Sequence, residues 1–210
     1  MKAEPEILEQ AQIWLDSPID EESKAAIRKM MANEDQSELI DAFYKDMEFG
    51  TGGLRGIMGV GSNRLNIYTL GMATQGLSNY LLKSFPNQQV KVAISYDSRL
   101  NSQTFARKVA DVFTANGIEV YFSDKVRPTP MVSYAIRHFG CQSGVMLTAS
   151  HNPKEYNGYK AYWEDGAQVV APHDKNIIEE VKKISSISDI KFEGNPKLLH
   201  IIEDSFDRSY

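Results

Sequence analysis

A hydroxyl, an imidazole and a carboxamide stand side by side in Thr148-Ala149-Ser150-His151-Asn152-Pro153, directly after the apolar run Gly144-Val145-Met146-Leu147. Asn157-Gly158-Tyr159-Lys160 follows, so a lysine comes shortly after an Asn-Gly turn. A strand, an exposed serine loop, a turn and a lysine suit the movement of a phosphoryl group on and off a side chain. A phosphoserine carries about −1.5 to −2 charges near neutral pH and three acceptor oxygens. It can therefore bind a hard cation and act as a phosphoryl donor. The bare Ser-His pair also fits a loop serine making a local turn bond, with Pro153 fixing the next bend. A hydrolase elbow requires Gly-x-Ser-x-Gly, which Ala149 and His151 do not supply. His151 is badly placed as a triad base, because neighbouring side chains diverge.

Arg55 is the natural counter-charge. It sits in Phe49-Gly50-Thr51-Gly52-Gly53-Leu54-Arg55-Gly56-Ile57-Met58-Gly59-Val60-Gly61, where six of thirteen residues are glycine. That density calls for unusual torsions or close backbone approach, and a guanidinium fork matches phosphate oxygens. The alternative is a surface arginine in a flexible loop. The run is neither a Walker loop nor Gly-x-Gly-x-x-Gly. Lys160 can take a proton from an attacking hydroxyl or hold a phosphate as a point charge, or it is a solvated strand lysine. Asp97 and Arg99 read as an ion pair capping the following helix. His138 and His173 read as surface residues, and Tyr156, Tyr159, Tyr162 and Trp163 as core.

Elements must place these groups. Ile7, Leu8, Ala11, Trp14 and Leu15 fall at helical spacing. A second helix capped by Asp20 or Ser17 carries Ala25, Ala26, Ile27 and Met30, and a short third runs from about Ser37 to Lys45. After the glycine run, which can itself supply a strand, helices are expected from about Thr69 to Ser84, from Ser102 or Asn101 to Asn116-Gly117, from Pro128 and from Lys175 to Ile184. Strands are expected at Val90–Tyr96, Ile118–Phe122, Gly144–Leu147 and Tyr159–Trp163. This alternation predicts an α/β fold, a parallel or mixed sheet between helices. Asp97-Ser98-Arg99, Arg127-Pro128-Thr129 and the Ser150 loop all follow strands, so they are expected at one sheet edge, where ligands collect. The stretch from Lys197 to Phe206 reads as the start of a helix, and the chain as part of something longer.

The 210 residues are 42% hydrophobic and 24% charged, with a formal net charge of −5, an ordinary globular composition. The acidic balance argues against nucleic acid as the main partner. No apolar stretch approaches the ~20 residues that span a bilayer, so no membrane association is expected. Met-Lys-Ala-Glu-Pro-Glu shows no signal peptide. Cys141 is the lone cysteine in an apolar context, which suits a packed thiol, and no zinc spacing is present. A reducing cytoplasm is the expected location.

Phe49-Gly50-Thr51-Gly52-Gly53-Leu54-Arg55-Gly56, Tyr96-Asp97-Ser98-Arg99, Thr148-Ala149-Ser150-His151-Asn152-Pro153 and Asn157-Gly158-Tyr159-Lys160, in this order, resemble the α-D-phosphohexomutase superfamily over roughly residues 47 to 170. The likeness is to its bacterial phosphoglucomutase/phosphomannomutase branch, related to phosphopentomutases. The resemblance implies domain I of a four-domain enzyme: a mixed, mostly parallel sheet between helices over 48–195, a helical extension over 1–47, and a linker helix toward a second domain beginning in 196–210. It implies that Ser150 is the phosphorylated serine and that its phosphate is one ligand of Mg²⁺. Arg55 would contact the phosphoserine or the transferring phosphate, with His151 and Lys160 in proton transfer and charge stabilisation. Asn152 would orient the loop, and Thr51 and Gly52 would join Arg55, Ser150 and Asn152 in substrate binding. Sugar 1- and 6-phosphates are the implied substrates, glucose 1,6-bisphosphate the activator, and the remaining domains the implied partners. The family's Asp-Gly-Asp-Gly-Asp-Arg metal loop and Gly-Glu-x-Ser-Gly sugar loop do not occur in these residues. The chain alone is therefore expected to be inactive. A non-catalytic sugar-phosphate or anion-binding module on the same fold is the competing reading, and a serine hydrolase a third.

Overall fold

The computed structural model describes residues 1–210. Its strands are β1 (Gly53–Ile57), β2 (Lys91–Tyr96), β3 (Glu119–Ser123), β4 (Ser143–Leu147), β5 (Tyr156–Trp163) and β6 (Leu199–Ile202). Its helices are α1 (Pro5–Asp16), α2 (Glu21–Ala32), α3 (Ser37–Phe43), α4 (Ile67–Ser84), α5 (Ser102–Ala115), α6 (Thr129–Phe139), α7 (His173–Lys182) and α8 (Asp204–Ser209). The six strands form one sheet in the order β1-β5-β4-β2-β3-β6. β4, β2, β3 and β6 run parallel, β5 lies antiparallel to β4, and β1 closes that side antiparallel to β5. The expected mixed, mostly parallel sheet between helices is the observed one.

Every residue of β4 is buried, as a central strand covered on both faces requires. Val92, Ile94, Val145, Leu147 and Tyr159 meet Leu70, Leu77, Val109, Phe113 and Ile177 of α4, α5 and α7 on one face. Ala93, Met146 and Tyr162 meet Met131, Ala135, Ile136 and Phe206 of α6 and α8 on the other. The N-terminal helices form a third cluster, in which Trp14 packs edge-on against Phe43 and Tyr68, both at 5.8 Å. Asp20, which caps α2 through the amide of Ser23 at 2.7 Å, also takes the Tyr68 hydroxyl of α4. The helical lead is thus fastened to the α/β body.

Three expectations change. The segment 196–210 is not a helix throughout: a single 3-10 turn at Pro196–Leu198 leads into β6, and only Asp204–Ser209 is α-helical. β6 pairs with β3 and satisfies backbone groups that an open edge would leave exposed. Asn157 and Gly158 are not a turn but lie inside β5, opposite Gly56 and Arg55. His173 is not a free surface residue, since its ring stacks on Trp163 at 3.9 Å and Nδ1 meets the Tyr80 hydroxyl at 2.8 Å. Cys141 is buried, and burial pushes its thiol up to about 12.

Candidate active site

Parallel β2, β3 and β4 deliver their carboxyl-end loops to one edge. The amide of Asp97 donates to the Leu147 carbonyl and that of Arg127 to the Tyr96 carbonyl, both at 3.2 Å. Arg127 nevertheless turns away from the serine loop. Its buried guanidinium holds Asp207 of α8 at 2.6 Å and the Ile202 carbonyl at 3.2 Å. Its role is to fasten the C-terminal helix.

In the serine loop Thr148 and Ala149 are buried while Ser150 is exposed. Ser150 has φ +56°, in the left-handed region, which costs a non-glycine residue about 1–2 kcal/mol. Its amide donates to Thr148 Oγ1 at 2.9 Å, and the Asn152 amide donates to the Ala149 carbonyl at 3.1 Å. The hydroxyl is thereby turned outward. His151 Nδ1 lies 3.4 Å from Ser150 Oγ, at the long limit of a hydrogen bond.

Arg55 reaches this loop from edge strand β1, where its Nη1 donates to Asn152 Oδ1 at 3.2 Å. Glycine makes the approach possible. A Cβ on Gly53, at φ +145°, would lie 1.8 Å from the Tyr159 carbonyl oxygen, and one on Gly158 would lie 2.6 Å from that of Thr148. Register puts Gly158 opposite Arg55 and Lys160 opposite Gly53 and Met146, and directly paired residues share a face. Arg55 and Lys160 therefore occupy the same side of the sheet. Neither has a carboxylate within ion-pairing distance. A groove of about 410 Å³ opens over the loop, lined by Asp97, Ser98, Arg99, Leu100, Ser150, Asn152 and Lys154.

Thr51 and Gly52 are not brought to that groove. They precede β1, and the Gly52 carbonyl accepts from the amide of Ala161, which pairs with Val145 well below the end of β4. Lys160 sits level with Met146, beneath the loop and outside the groove lining.

Arg99 is the residue the sequence misplaced. Its ion pair with Asp97 is long, 3.8 Å, while its two terminal nitrogens donate to carbonyls of the serine loop. Neither residue caps α5, whose N-cap is Asn101 with no side-chain cap bond: Asp97 Oδ1 instead closes the turn before it, accepting from the Arg99 amide at 3.0 Å and from Ser102 Oγ at 2.9 Å. Fully buried Asn157 completes the frame, donating to Ser102 Oγ at 2.9 Å and to the Leu100 carbonyl at 3.0 Å. A polar triplet directly after a buried strand was the available signal for this cluster.

The donor set does not make a metal site by itself. No group of three or more His, Cys, Asp or Glu side chains converges anywhere in the chain, and Asp97 Oδ1 is already engaged by two donors. Hard divalent cations take several oxygen ligands, and the groove by itself offers too few.

The sequence and the fold match known proteins. The family model for phosphoglucomutase/phosphomannomutase, alpha/beta/alpha domain I, matches residues 46–188. The chain belongs to the phosphoglucomutase/phosphomannomutase family. It is 41% identical to mouse phosphopentomutase over 177 residues, 81% of this chain and 28% of that protein. It is 40% identical to mouse glucose 1,6-bisphosphate synthase over the same shares. It is 36% identical to the phosphoglucomutase of Staphylococcus haemolyticus over 79% of this chain and 29% of that one. A crystal structure described as a phosphomannomutase of Thermus thermophilus superposes with a TM-score of 0.64 at 26% identity, covering 76% of this chain and 33% of that one. The chain thus spans 28% of the length of mouse phosphopentomutase.

Proposed function

We propose that Ser150 is a transient phosphate carrier and that the chain works as the first domain of a phosphosugar mutase. The observation that carries this reading is the contact of Arg55 with Asn152 beside an exposed, left-handed Ser150. A cation held on Asn152 and the exposed hydroxyl two residues before it share one loop at the carboxyl edge of the sheet, and the related proteins bear phosphosugar-mutase names.

In the forward half-reaction a sugar hydroxyl attacks the phosphorus of phospho-Ser150. The new P–O bond forms to the sugar and the P–Oγ bond to Ser150 breaks; the sugar hydroxyl loses its proton to His151, which passes it to the departing Ser150 Oγ, while Lys160 lends positive charge from beneath the loop. The product is a sugar bisphosphate. After it turns over in the site, Ser150 Oγ attacks its other phosphorus, and the proton returns to the departing sugar oxygen. Arg55 neutralises the moving phosphoryl group, and Asn152 orients the loop. Such transfer depends on positioning and electrostatics more than on covalent chemistry. Substrates are glucose, mannose or pentose 1-phosphates and their 5- or 6-phosphate isomers, with glucose 1,6-bisphosphate as activator. Mg²⁺ would take one oxygen from the Ser150 phosphate and its carboxylate ligands from outside these residues. The remaining domains would close the cleft and read the sugar.

A coupled assay for glucose 1-phosphate turnover tests this. The complete protein is expected to turn over, Ser150→Ala to abolish turnover, and the 210-residue chain alone to show negligible rate. Full activity in Ser150→Ala, or robust turnover by the isolated chain, would refute the reading.

A further inference from the structure

We propose that Arg99 is the positioning residue that sets how Ser150 presents its hydroxyl to a phosphoryl group; this rests on the mutase reading above. Its guanidinium Nη1 donates to the carbonyls of Pro153 and Tyr156, both at 3.0 Å, and its Nη2 to those of Ser150 at 2.8 Å and Asn152 at 2.5 Å. Four acceptors spread over seven residues of the loop thus converge on one planar fork. The side chain is 14% exposed, so the fork lies beneath the loop rather than in solvent.

The geometry fixes Ser150 from both sides. Its amide is held by Thr148 Oγ1 at 2.9 Å and its carbonyl by Arg99. With both flanking peptide groups held, the backbone stays in the left-handed conformation at φ +56°, and Ser150 stays exposed on the lining of the groove. Arg99 also puts a positive charge under the position a phosphate would occupy. Asp97 is its only counter-ion, at 3.8 Å.

Lysine cannot substitute. An ammonium offers three donors from a single point, whereas guanidinium offers five in a fixed fork. A residue that merely balanced Asp97 would be replaceable by lysine, and a loop clamp would not.

Two measurements test the proposal on Arg99→Lys and Arg99→Ala. The first is amide hydrogen exchange in the 210-residue chain. Exchange over 149–157 is expected to rise by about tenfold or more while β2 and α5 keep their protection. The second is the rate at which Ser150 in the complete protein gains phosphate from glucose 1,6-bisphosphate. It is expected to fall by about a hundredfold in both variants, as misplacement of a reacting group predicts, with the half-saturating concentration nearly unchanged. Added guanidinium should restore uptake in Arg99→Ala, and methylammonium should not. Should the alanine variant fail to fold, the lysine variant decides. Wild-type uptake in Arg99→Lys, or unchanged loop exchange, would overturn the proposal. If the unsubstituted protein gains no phosphate at all, the mutase reading fails, and loop exchange alone then judges the clamp.

Discussion

The guanidinium of Arg55 donates to the side-chain oxygen of Asn152 at 3.2 Å across a sequence separation of 97 residues. The contact exists because β1 is an edge strand that ends beside the start of β5, where Ile57 pairs with Tyr156. The glycine-rich strand thereby brings its arginine to the loop that leaves β4. Arg55→Ala removes a mostly solvated side chain, so the thermal midpoint should stay close to that of the parent. Phosphate gain at Ser150 should fall by about a hundredfold or more, the usual loss for one electrostatic group at a transferring centre. Calorimetry and the uptake rate, measured together, check both halves.

Asn157 should be felt in stability first. Its buried amide serves the Ser102 hydroxyl and the Leu100 carbonyl, and its Oδ1 takes the Gly158 amide at 2.8 Å. Asn157→Ala leaves the buried Ser102 hydroxyl and Gly158 amide without it, at about 1–3 kcal/mol each where no water enters. A lower denaturation midpoint with an unchanged m-value in urea is the expected result.

Much of this site was legible because the chemistry is local. Ser150 follows an apolar run that can only be a buried strand, and the glycines around Arg55 announce close backbone approach. What escaped is non-local. The fork of Arg99 meets backbone carbonyls, and backbone acceptors leave no trace in side-chain patterns. Asn157-Gly158 has turn composition, yet Gly158 is needed in β5 because any Cβ would strike the Thr148 carbonyl. Thr51 and Gly52, joined to Arg55 by the resemblance, lie before β1, where the Gly52 carbonyl is held by the Ala161 amide away from the loop. β6 depends on pairing with β3, about eighty residues earlier, which a short run ending in Glu203 and Asp204 does not advertise.

Acid should loosen the C-terminal helix before the sheet. Hydrogen bonds from Arg127 and then Lys125 hold the Asp207 carboxyl at about 2, below its ordinary 3.8. A depressed carboxyl contributes stability that is present above the unfolded value and is lost as pH falls through the folded one. The window is therefore pH 4 down to 2. Docking of Phe206 and Tyr210, followed by near-ultraviolet dichroism, should decline across it, and Asp207→Asn should flatten the decline.

Cys141 should be silent in the native chain. Burial raises its thiol to about 12, so thiolate is scarce at pH 8. A thiol reagent is expected to react at the rate of unfolding, and at once in denaturant; rapid labelling of the folded chain would contradict the packed position.

The proposed mechanism stands on phosphate transfer through the Ser150 hydroxyl. The most direct measurement is the intact mass of the complete protein after incubation with glucose 1,6-bisphosphate, with the modified residue located by peptide fragmentation. A gain of one phosphoryl group on Ser150, discharged by added glucose 1-phosphate and absent in Ser150→Ala, is the expected result. Reversible binding with no gain in mass, or a phosphate on any other residue, would contradict it.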